Sequence, residues 1–177
     1  MSASTERPNR VIATAPPAGS LLAAYAARGE YTDCFRVSGP GAVSLPRFLE
    51  AFYGSPLFRL ERWLLARFAR APSSGADLLD LAEGRADRFA VWRVEARRPD
   101  EIVLAAGVTR SWLSVSPDAA DPGRRVTLHF GSAIVLHRSR PPGRVWRALL
   151  GMHLWYSRAL LGAAARQLRH PGGPSHP

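Results

Sequence analysis

The sequence predicts an α+β domain in which an antiparallel sheet curves around a long C-terminal helix. Three observations predict it. Apolar residues recur at helical spacing between Phe48 and Phe68, they alternate from Phe89 to about Leu136, and they return to helical spacing from Arg144. At 177 residues the chain needs only one core.

Residues 1–30 read as a flexible N-terminal segment with one short helix. Residues 1–19 are rich in Ser, Thr, Pro and Ala, and Ser20 then caps a helix that Gly29 ends. The main domain is expected over 31–169. Its first strand is Tyr31 to Val37, broken by Ser38-Gly39-Pro40-Gly41. Ser44 and Pro46 open a helix bearing Phe48, Leu49, Phe52 and Tyr53, and Gly54-Ser55-Pro56 separates it from a second, with Leu57, Leu60, Leu64 and Phe68 on one face. A short helix follows from Ala76 to Glu83, closed by Gly84.

From Phe89 the period changes to two. Ala90, Trp92, Val94 and Ala96 share one face of a strand, and Val91, Arg93, Glu95 and Arg97 the other, where Glu95 reads as part of a solvent-side charge ladder. Pro99-Asp100 turns the chain into strands over Glu101 to Val108 and Thr109 to Ser116. The longest strand runs from Arg124 to Arg138, with Val126, Leu128, Phe130, Ser132, Ile134 and Leu136 on one side and a potential bulge at Gly131. The last helix, Arg144 to Arg169, carries Val145, Leu149, Met152, Tyr156, Leu160 and Ala163 as its apolar stripe. Residues 170–177 read as a disordered tail.

The formal charge is +10, but all 24 basic residues are Arg and none is Lys. They are scattered along an Ala-rich chain, which fits genome composition better than a phosphate-binding footprint, so no nucleic acid is expected as partner. The one cysteine, Cys34, lies in a strand and excludes an internal disulfide, as in a reducing, cytoplasmic compartment. Pro16-Pro17 splits the N-terminal apolar run and argues against an export signal. No uncharged apolar run is long enough for a membrane span.

Some local wording resembles a known family. Tyr31-Thr32-Asp33-Cys34-Phe35, Phe130-Gly131-Ser132-Ala133-Ile134-Val135, Arg147-Ala148-Leu149-Leu150-Gly151-Met152-His153 and Tyr156-Ser157-Arg158-Ala159-Leu160-Leu161 resemble the uncharacterised bacterial family called domain of unknown function 2867. The element order is similar to that of the START and birch-pollen-allergen-like helix-grip (SRPBCC) superfamily. That family's helix bears an aromatic-His pair, which Met152-His153 matches only in part. The resemblance implies a helix-grip fold with a cavity between sheet and terminal helix, where a hydrophobic ligand would sit.

The candidate lining residues are Trp92, Trp112, His153 and Tyr156. His129 and His137 are eight residues apart on one strand, roughly 26 Å, and cannot share a metal. His153 has no ligand-spaced acid or thiol beside it, so neither a metal nor a cofactor is expected. Without a bulge at Gly131, His129 faces outward, opposite Leu128 and Phe130; a bulge would turn it inward as a general acid or base. Ser114 and Ser116 lack a nucleophile-elbow context, and no phosphate-binding glycine loop is present.

Three function classes remain. The first is a binding module for a small hydrophobic molecule or lipid. The second is a cyclase- or dehydratase-like enzyme with His129 or His153 as proton donor in the same cavity. The third is a membrane-peripheral or structural partner protein, since a basic amphipathic helix with Trp and Leu suits a membrane surface.

Overall fold

A computed structural model describes residues 10–56, 58, 74–135 and 144–169, the last segment with side chains from residue 151 onward. The expected helix from Leu57 to Phe68, His137 and the end of its strand, the side chains of Val145 and Leu149, and the tail lie outside the described residues.

Among the described residues seven strands form one antiparallel sheet: β1 (Ile12–Ala13), β2 (Tyr31–Pro40), β3 (Arg88–Phe89), β4 (Trp92–Arg98), β5 (Glu101–Ala106), β6 (Thr109–Pro117) and β7 (Arg125–Ile134). Their order across the sheet is β1-β2-β7-β6-β5-β4-β3, so the first long strand lies against the last. Four helices are described: α1 (Leu21–Ala27), α2 (Leu45–Tyr53), α3 (Gly75–Ala82) and α4 (Arg144–Arg169). Side-chain oxygens start three of them: Ser20, Ser44 and Ser74 each accept from a backbone N–H three residues on, and Asp77 returns the bond to Ser74.

One face of the sheet carries the main core. Phe35, Val37, Ile102, Leu104, Leu113, Leu128 and Phe130 meet Phe48, Phe52 and Tyr53 of α2 and Leu160, Leu161, Ala164, Ala165 and Leu168 of α4. Helix α4 packs against β2, β7 and α2. Burying side chains of these sizes stabilises by about 1.5–3 kcal/mol for each large one.

The other face is covered as well, which the sequence reading did not anticipate. Leu22 and Tyr25 of α1 pack on Cys34, Val103, Trp112 and Ala133. Strand β1 pairs with β2 through Ile12↔Arg36 and Ala13↔Phe35. From residue 10 on, the segment read as flexible is therefore paired and packed. Gly131 explains how α1 comes so close: a Cβ there would stand 2.4 Å from Leu22 Cδ2 and 2.6 Å from the Asp33 carbonyl oxygen.

Two expectations of strand phase change. No bulge occurs at Gly131, since β2 and β7 pair without a break from Tyr31↔Ile134 to Pro40↔Arg125. The shift lies in β4 instead, between Val94 and Ala96. Beyond it the faces exchange: Ala96 packs in the α1 cluster, and the Arg97 guanidinium donates to the Leu81 and Ala82 carbonyls at the end of α3.

The stripe expected on α4 is corrected in part: Leu160 is buried and Tyr156 packs against the core, but Met152 does not. Met152 is 63% exposed and Trp155 66%, and burial begins at Ser157. The stripe that packs is Ser157, Leu160, Leu161, Ala164, Ala165 and Leu168, spaced by three and four residues.

Candidate functional site

A cavity of about 320 Å³ lies between the sheet and α4. Phe52, Tyr53 and Phe58 wall it from the helical layer, Trp92 and Phe130 from the sheet, and Tyr156 and Leu160 from α4. The aromatic rings support one another: Tyr53 meets Phe58 edge-on at 4.7 Å between centroids, and Phe58 lies 5.3 Å from Trp92. Edge-to-face and offset pairs of this kind contribute about 0.5–1.5 kcal/mol each beyond the area they bury.

One end of the cavity is polar. Ser132 on β7 and His153 on α4 both line it. The Ser132 hydroxyl donates to Asp33 Oδ2 at 2.7 Å, and its backbone N–H donates to Asp33 Oδ1 at 3.2 Å. His153 Nε2 is 2.9 Å from Ser132 Oγ and 3.2 Å from Asp33 Oδ2. With the Ser132 proton directed to Asp33, the consistent assignment is a His153 Nε2–H that donates into the pair. The serine is not activated in this arrangement, because its proton goes to a carboxylate and the acid does not bond the distal imidazole nitrogen.

Ser157, one helical turn beyond His153, adds a second polar feature. It is 1% exposed and lines the cavity, and its hydroxyl has no hydrogen-bond partner. A buried hydroxyl without a partner costs about 1–3 kcal/mol.

Of the expected lining residues, Trp92, His153 and Tyr156 come together in this cavity. Trp112 does not. It lies on the opposite face, where β6 alternation places it with Ser114, and its Nε1–H donates to Glu101 Oε2 at 2.7 Å. His129 also lies on that opposite face, so it cannot act in the same cavity as His153. The expectation of an exposed His129 is corrected too: it is 6% exposed, because β1, α1 and the loop after β6 flank that face. Burial, helped by the charge of Arg36, lowers its pKa to about 4, so the ring is neutral at physiological pH.

Three further groups take unexpected roles. Glu95 accepts from the Tyr25 hydroxyl and pairs with Arg110, rather than forming a solvent ladder. Burial, then the bond to Glu95, pushes the Tyr25 phenol up to about 12. Cys34 is raised to about 12, chiefly by burial, which leaves it an inert thiol. Sequence reasoning missed Asp33, Ser132 and Ser157 because each is an ordinary polar residue in its own element. Only the β2–β7 register, which puts Asp33 opposite Ser132, joins the first two.

Among the described residues no group of three or more His, Cys, Asp or Glu is placed to hold a metal ion. Among them, too, no helix is long and apolar enough to cross a membrane.

No protein-family model matches this chain, and no curated protein sequence matches it either. Among solved structures, it is similar to a conserved protein of unknown function from Enterococcus faecalis, at 10% identity and a TM-score of 0.38. That likeness covers 88% of this chain and 87% of the other.

Proposed function

We propose that this chain is a non-catalytic binding module of the helix-grip type, related to the SRPBCC superfamily, that takes a small hydrophobic molecule or lipid between sheet and α4. The observation that carries the reading is Ser157. Its hydroxyl is buried in an aromatic wall without a hydrogen-bond partner, and a ligand oxygen or nitrogen would satisfy it. Apolar walls with few convergent polar groups, at this volume, are the usual make-up of a small-molecule site. The ligand's apolar body would lie against Phe52, Phe58, Trp92 and Phe130, and its polar end toward Ser157, Ser132 and His153. The helix-grip reading draws support from the pairing of β2 with β7 and the seating of α4 against both.

His153 favours a second reading, a cyclase- or dehydratase-like enzyme. It is the one imidazole lining this cavity among the described residues, and Asp33 and Ser132 fix its orientation. The third reading, a membrane-peripheral or structural partner, draws on the exposed Met152 and Trp155.

The test is fluorescence titration with anilinonaphthalene sulfonate. Binding should be saturable, be abolished by Ser157→Leu, which removes the hydroxyl and narrows the cavity, and persist in Trp155→Ala. Loss in Trp155→Ala with retention in Ser157→Leu would move the site to the exposed helix face.

A further inference from the structure

One carboxylate sets the electrical character of the polar end of the cavity between sheet and α4. Strand register places Ser111, Ser132 and Asp33 side by side across β6, β7 and β2, on the face that carries Phe130. Ser111 and Ser132 line the cavity. Asp33 stands behind Ser132, bonded to its hydroxyl, with its side chain 6% exposed. Burial, then the charge of Asp33, pushes the phenol of Tyr31, which shares that face of β2, up to about 12. A second negative oxygen is thus disfavoured in this neighbourhood, and a ligand carboxylate would be one.

Among the described residues lining the cavity, no cation offsets that charge. Arg110 and His153 are the two candidates. Arg110 pairs with Ala133 in the ladder, in the phase of the face that α1 covers, and its guanidinium binds Glu95 and the Gly107 and Thr109 carbonyls. His153 stands against Asp33 itself, so any positive charge it takes up is matched there. A cationic head group meets a different obstacle. The Asp33 oxygens already receive the Ser132 N–H and hydroxyl and face His153 Nε2, and Ser132 stands between them and the cavity. An ammonium would lose its water here without reaching the carboxylate.

What remains at this end is hydroxyl chemistry. Ser157, 1% exposed, has a hydroxyl without a partner, and Ser111 brings a second hydroxyl to the lining. A hydroxyl both donates and accepts, so another hydroxyl complements it in either orientation. We infer that the ligand of this cavity, on the binding-module reading above, is uncharged and ends in a hydroxyl held by Ser157, as a long-chain alcohol does. The preference concerns the head group: at equal apolar body it favours the alcohol over the acid, and it does not bar an anion with a larger aromatic body.

The experiment is isothermal titration calorimetry of the full chain at neutral pH with octanol, octanoate and octylammonium, which share one apolar body. Octanol should bind saturably and at least about tenfold more tightly than octanoate, as for a like charge nearby at reduced dielectric. Ser157→Ala should weaken octanol binding about three- to tenfold, the loss of one hydrogen bond. Asp33→Asn should bring octanoate to within about threefold of octanol. If that variant does not fold, the ranking on the unaltered chain decides. Octanoate or octylammonium binding as tightly as octanol overturns the inference and leaves the cavity reading standing. So does an octanol affinity undiminished in Ser157→Ala but abolished in Ser157→Leu. No saturable binding of any of the three overturns the inference and the cavity reading together.

Discussion

His153 Nε2 stands 2.9 Å from Ser132 Oγ, which ties the terminal helix to β7 at the polar end of an aromatic cavity. Behind it Ser132 donates to Asp33, whose side chain is only 6% exposed. Ser132→Ala would remove the hydroxyl bond to this buried carboxylate, leaving it the Ser132 backbone N–H and the neighbouring His153, and should cost about 1–3 kcal/mol in denaturant unfolding. His153→Gln should cost less than about 1 kcal/mol, since the imidazole is 41% exposed. Equal costs would mean that Asp33 does not depend on Ser132.

Gly131 and Leu22 form a second coupled pair, across the other face. Gly131→Ala should destabilise by about 1–3 kcal/mol through the contact with Leu22 and the Asp33 carbonyl. Leu22→Ala should cost about 2–5 kcal/mol, because its side chain is fully buried. The double variant should cost less than the sum, since Leu22→Ala removes one of the two obstacles to the new methyl. Strict additivity would contradict the seating of α1 on β7.

On α4, Leu161→Ala should cost about 2–5 kcal/mol and Trp155→Ala less than about 0.5 kcal/mol. Leu161 is fully buried, whereas Trp155 is exposed. A larger loss for Trp155→Ala, read from urea midpoints, would return the packed stripe to the earlier part of the helix.

His129 makes stability depend on pH. Its pKa is lowered to about 4 in the fold, against an ordinary value of 6.5, so between these values the unfolded chain binds the extra proton. Its contribution is fully present above about pH 6.5 and is lost as pH falls toward 4, by at most about 3 kcal/mol. His129→Asn should flatten that part of the profile. An unchanged slope would mean that His129 is solvated.

The strands were legible because alternation is a property of each strand alone. Phase was legible only until the register shift between Val94 and Ala96, which lies in no residue type and exchanges the faces of β4. The burial of His129 could not be read, although its face relative to Leu128 and Phe130 could. What covers that face is a segment rich in Pro, Ser and Ala, whose composition resembles a flexible tail. Leu22 and Tyr25 are too few to form a periodic signal, yet two side chains suffice against a flat strand at Gly131. On α4, apolar spacing fits both 149/152/156/160 and 157/160/161/164/168, which share Leu160. Only the position of the helix over the sheet selects the second. Trp92, His153 and Tyr156 line one cavity and Trp112 does not; Ser132, Asp33 and Ser157 required the tertiary arrangement to be recognised.

The central claim is that the cavity between sheet and α4 holds a small hydrophobic molecule. Native mass spectrometry of the protein purified from its own host tests it most directly. A bound mass is expected that dissociates on mild activation, is absent from Ser157→Leu and is retained in Trp155→Ala. Wild-type protein that shows only the mass of the chain, in a preparation gentle enough to preserve the fold, would contradict it.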